Sequence, residues 1–137
     1  MRKTDEGFAS EADLVAAWLA ELRRFKHDEK WTIYPETAGW DLLMVHDAGH
    51  QVGIEAKLSL NAKVLAQTLD GAHRYYRPEG PDYRGVLVPR SKCQLHMGQL
   101  ARALGVGVIA FAPADRWVSW TSSHLPDERD YSDGWPN

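Results

Sequence analysis

Three residues carry the chemistry that this sequence offers most plainly: Asp41, Glu55 and Lys57. All three fall within GWDLLMVHDAGHQVGIEAKL, residues 39–58, where two alternating apolar runs are separated by Asp47-Ala48-Gly49. Runs of that kind around a short glycine-containing loop predict a β-hairpin. Side chains alternate between faces along a strand. Leu42, Met44 and His46 therefore share one face of the first strand, and Asp41, Leu43 and Val45 the other. On the second strand Val52, Ile54, Ala56 and Leu58 are apolar together, which leaves Gly53, Glu55 and Lys57 opposite. A three-residue loop pairs His46 with His50 and sets Asp41 directly across from Glu55 on one face. Opposed Cβ atoms lie about 4.5–5.5 Å apart, and like charges there destabilise a sheet. A hard divalent cation answers that repulsion, because Mg²⁺ is commonly held by one or two carboxylates and keeps several waters.

Asp41, followed on the next strand by Glu55-Ala56-Lys57, resembles the PD-(D/E)XK nuclease superfamily. Trp40 stands where the family's name has proline, a position that varies within the family. The resemblance implies an α/β, restriction-endonuclease-like fold: an αβββαβ core, here with an extra helix and strand and a Trp-rich C-terminal tail. It also implies that Asp41 and Glu55 bind Mg²⁺ (or Mn²⁺) and that Lys57 orients water or meets charge on the phosphate. DNA would be cut to 5′-phosphate and 3′-hydroxyl ends. GFASEADLVAAWL looks like the start of the archaeal Holliday-junction resolvase branch, in which a glutamate near the beginning of the first helix joins the metal site. That residue corresponds to Glu11. Several branches carry a supporting glutamine where Gln67 stands. Those resolvases are strongly basic dimers and this chain is not basic, so a general endonuclease or exonuclease ranks ahead of junction resolution, and a homodimer stays open.

The elements that must position these residues follow from the pattern of the chain. Residues 10–27 read as a helix, with Ser10 as N-cap and Asp13 three residues on. Leu14, Val15, Trp18, Leu19, Leu22 and Phe25 make its apolar stripe. Glu11 falls at the centre of that stripe. It is either a first-turn acid favoured by the helix dipole or a carboxylate aimed at the hairpin. The cations that follow, Arg23 and Arg24 foremost, suit a solvated helix end and equally a phosphate contact. WTIYPET (31–37) reads as a strand that Pro35 either places at an edge or ends; Glu36 is a turn residue or an extra ligand. Asn61 caps a helix reaching about residue 77, with Val64, Leu65, Leu69 and Ala72 on its apolar face. Lys63, Arg74, Tyr75 and Arg77 on and after this helix mix charge and aromatic surface, as nucleic-acid contacts do. GVLVPR (85–90) reads as a central strand. Ser91 is read as the cap of a helix whose face is Cys93, Met97, Leu100 and Leu104, and VGVIAFA (106–112) closes the pattern as a buried strand.

Composition sets outer bounds. The 137 residues are 44% hydrophobic, enough for one core in a single domain over residues 1–112. The tail, 113–137, holds Trp117, Trp120 and Trp135 among Ser, Asp and Pro, and is expected to pack on the body or on a protein partner. Cys93 is the sole cysteine, so no disulfide framework exists and a reducing cytoplasm fits. No apolar run reaches a membrane span, and MRKTDEG reads as no signal peptide. Net charge is −3, and the tail accounts for it, leaving residues 1–112 balanced in sign. Tight, unassisted binding of duplex is not what that balance provides.

Other constellations are weaker. His46 and His50 flank the hairpin loop but lack further ligands, and Cys93-x-x-His96 lacks the second pair that a zinc site needs. Neither G-x-S-x-G nor a phosphate-binding P-loop motif occurs. The reading that follows is Mg²⁺-dependent hydrolysis of DNA, with RNA cleavage as a variant. The rival from another class is a catalytically silent nuclease-fold module acting through protein or nucleic-acid binding.

Overall fold

Residues 7–24, 28–73, 81, 83–93 and 95–112 are described by the computed structural model. The chain runs α1 (Glu11–Arg24), β1 (Trp31–Thr37), β2 (Trp40–His46), β3 (Gln51–Ala56), α2 (Ala62–His73), β4 (Tyr83–Pro89), a 3-10 turn (Arg90–Lys92), α3 (Leu95–Ala103) and β5 (Val106–Phe111). The five strands form one sheet in sequence order, antiparallel from β1 to β3 and parallel from β3 to β5. This is the α/β order expected. Among the described residues no helix is long and apolar enough to cross a membrane.

Local chemistry accounts for the element ends. The Ser10 hydroxyl accepts the Asp13 N–H at 3.1 Å, and the Asp13 carboxylate accepts the Ala9 N–H at 3.3 Å. Start signals of α1 are thus met on both sides of the cap. Asn61 caps α2 in the same way, its Oδ1 accepting the Val64 N–H at 3.0 Å. β1 and β2 join through Ala38 and Gly39, with φ of 58° and 85°. Two left-handed residues make the primed turn whose twist suits a hairpin. β1 is the sheet edge, where Pro35 is tolerated.

Two cores sandwich the sheet. Leu14, Trp18 and Leu22 of α1 pack on Leu42, Met44, Val52, Ile54, Leu87 and Ile109. On the other face Val64 and Leu65 of α2 and Ala101 of α3 cover Val86, Val88, Val106 and Val108. Each of these burials follows the expected alternation.

The stretch after β4 differs from expectation. Ser91 lies within the 3-10 turn and α3 begins only at Leu95. The buried side of α3 runs through Gly98 and Ala101, while Leu100 and Leu104 stand 44% and 46% exposed. Small residues let the helix lie close to the sheet, which turns the larger leucines outward. Leu69, Ala72, Arg74, Tyr75, Arg77 and the 113–137 tail lie outside the residues whose side chains are described.

Candidate active site

The β2–β3 register is the one that alternation requires: Leu42 faces Ile54, Leu43 faces Gly53 and Val45 faces Gln51. The paired ladder ends at Leu42 and Ile54, and Asp41 lies one residue beyond it. At the loop end, His46 donates its N–H to the His50 carbonyl at 2.9 Å, and the two imidazoles stack at 4.3 Å with Trp31 edge-on to both. His46 and His50 thus form an aromatic stack at the far end of the hairpin from Asp41.

At the near end the ladder gives way to a side chain. Oδ2 of Asp41 accepts the Ala56 N–H at 2.7 Å, so the carboxylate bends into the gap between β2 and β3. One of its four lone-pair sites is thereby committed. The next N–H, that of Lys57, goes the other way, to the Leu87 carbonyl at 2.9 Å. Pro89 ends β4 and brings no N–H, so the β3–β4 ladder closes there. Ala56, at the carboxyl end of β3, lines a groove together with Asp41, and strand carboxyl ends are the usual ligand position in open α/β sheets.

Glu55 is half-buried, and its carboxyl is raised above the ordinary value. Burial is the largest cause, Asp41 the second; Lys57 opposes both and Glu11 adds a smaller push upward. The four residues singled out from sequence therefore share one electrostatic environment. Glu11, in the first turn of α1, is exposed rather than buried. It opens with Asp41 and Glu36 onto a groove of about 460 Å³, also lined by Val15, Leu19 and Ala56. Glu36, next to last in β1, is in the left-handed region at φ 48°, between Pro35 and Thr37, which pair with Leu42 and Trp40. Among the described residues no three His, Cys, Asp or Glu side chains converge at ligating distance.

The remaining candidates are spread out. Gln67 and Lys63 are exposed on α2. Arg23 and Arg24 are exposed at the far end of α1, about 20 Å from Glu11 at 1.5 Å per residue. Cys93 is partly buried, its thiol pushed up to about 11 by desolvation, and His96 is exposed; a thiolate–imidazole pair is disfavoured.

Sequence reasoning missed Trp40 as more than a replaced proline. Its indole lies on Gly53, where an added Cβ would stand 2.5 Å from ring atoms Cδ2 and Cε2. A glycine inside a strand is the available signal, since it often marks a close approach.

Comparison with known proteins adds the following. No protein-family model matches the chain, and no curated protein matches it. The crystal structure of a repair endonuclease from Pyrococcus abyssi superimposes with a TM-score of 0.53 at 17% identity, over 80% of this chain. The match covers 50% of that endonuclease's chain. The chain has an α/β, restriction-endonuclease-like fold, similar to half of a repair endonuclease.

Proposed function

We propose that this chain is a Mg²⁺- or Mn²⁺-dependent nuclease that hydrolyses phosphodiester bonds in DNA. One observation carries the reading. Burial, Asp41 and Glu11 all make the ionised form of Glu55 costly, and Lys57 alone relieves it. Carboxylates crowded at the open end of a sheet fit a hard cation that takes one or two of them and keeps waters. Asp41 and Glu55 would hold the ion, and Glu11 would complete the set. The Ala56 carbonyl is a further donor, because the Ala56 N–H is directed to Asp41 and a strand residue's N–H and C=O point the same way. When bound, the ion supplies Lewis acidity toward water and a phosphate oxygen.

The chain's own groups do the rest. The Ala56 N–H fixes the Asp41 carboxylate, so part of the donor set is oriented beforehand. Lys57, two residues beyond Glu55 on the same face, holds an attacking water or meets charge developing on the phosphate. The likeness to a repair endonuclease supports the same chemistry. The test is cleavage of plasmid, single-stranded and branched DNA, beside matched RNA, with Mg²⁺, Mn²⁺ or EDTA. DNA cut with either ion and intact in EDTA is the expected result. No cleavage of any substrate with either ion overturns the proposal.

A further inference from the structure

The register aligns a second row of residues beside the carboxylates. Tyr34 faces Leu43, Leu43 faces Gly53 and Gly53 faces Arg84, across four strands. Ile33, Met44, Val52 and Ile54 pack toward α1, so this row belongs to the opposite face, the face of Glu55. Helices α2 and α3 cover that face over β4 and β5. Over β1 and β2 they do not: Tyr34 is 46% exposed, and Leu43 and Val45 are only half-buried. The half-buried indole of Trp40 lies across Gly53 on this side, at a distance that excludes any side chain there. Glu55 is two residues from Gly53, about 7 Å along the strand. At the row's end the Arg84 Nε is buried without a hydrogen-bond partner among the described residues.

We infer that Trp40 and Tyr34 form a stacking shelf for an unpaired base, with Arg84 beside it for a phosphate, so that the strand brought to Glu55 on the same face is single-stranded DNA. This deepens the nuclease reading and rests on it for the choice of ligand. Three observations select that occupant. Aromatic faces beside a cation match how single strands are held, since every base has a π-face and a duplex hides it. An arginine fork suits phosphate. Finally, the balanced charge of residues 1–112 gives little sequence-independent grip on a duplex, so stacking must supply affinity that charge does not.

The test is binding of a labelled oligonucleotide, single-stranded or annealed to its complement, to the full chain in EDTA. Wild type should favour the single strand by about tenfold or more, and Trp40→Ala and Tyr34→Ala should each lower single-strand affinity by about tenfold. Trp40→Phe should retain most of it. If Trp40→Ala does not fold, the exposed Tyr34 carries the test. Equal affinity for the two DNAs, or single-strand binding unchanged in Tyr34→Ala, overturns the shelf. Cleavage with Mg²⁺ is scored separately: cutting by a protein indifferent to both aromatic changes sinks the shelf and leaves the nuclease. Selective binding lost in both variants without any cutting does the reverse.

Discussion

Protonation of Glu55 has a calculable sign. Burial and then Asp41 raise its carboxyl above the ordinary 4.5, so the native state holds this proton more tightly than the unfolded chain. The resulting stabilisation is complete below about pH 4.5 and is lost as pH rises through the raised value. Without a divalent ion the melting temperature should therefore lose this contribution as pH climbs from 4.5 toward neutrality. In Glu55→Gln that component of the slope should vanish. Melts in EDTA across this range measure both, and an unchanged slope in the variant would assign the titration elsewhere. Lys57 is the other residue whose job is separable. An ammonium does not ligate Mg²⁺, so Lys57→Ala should abolish cleavage and keep the ion-induced shift in melting temperature. Cleavage at the wild-type rate would make the lysine structural.

Among the elements, the β2–β3 pair ends on a side-chain bond, and that bond separates two roles of Asp41. Asp41→Ala removes the acceptor of the Ala56 N–H and should cost about 1 kcal/mol or more in metal-free protein. Asp41→Asn keeps an acceptor oxygen and removes the repulsion with Glu55, so its metal-free melting temperature should equal or exceed wild type. A large loss in Asp41→Asn would show that charge, not the acceptor alone, holds the strands. This hairpin was legible in sequence because period-two alternation and a three-residue loop leave one register that buries Leu42, Met44, Val52 and Ile54 together. Ser10 and Asn61 were legible because a cap is local chemistry. Two features were not. Alternation assigns Trp40 to the Leu42 face, yet its ring lies on Gly53; β2 departs from regular pairing at Asp41, and only the packed sheet reveals it. In α3, the exposure of Leu100 and burial of Ala101 were hidden because size in sequence does not say which side of a short helix meets a neighbour.

For the whole molecule, an ion bound only by the native state must raise stability. At a hundredfold excess over Kd the gain is about 2.7 kcal/mol, so the melting temperature should rise with millimolar Mg²⁺ or Mn²⁺, and the response should be blunted in Asp41→Asn. A wild-type protein indifferent to both ions would remove the cation from the reading and favour a silent module. The α/β class was readable from the order of periodic segments, since strand, helix and strand in succession predict parallel pairing. The placement of the exposed part of the sheet was not, because coverage depends on where α2 and α3 come to rest, and no residue of β1 or β2 encodes that.

The hairpin that carries Asp41 and Glu55 also has a place in time. Its partners are close in sequence, whereas β4 reaches β3 only after the α2 crossover. Local pairings close with little loop entropy, and non-local ones close later. The two carboxylates would then meet while the chain is still folding, and their repulsion would raise the barrier rather than only weaken the finished sheet. Mg²⁺ should accordingly speed refolding in stopped-flow traces, steepening recovery at low denaturant. An ion that only slowed unfolding would instead place hairpin closure after the rate-limiting step.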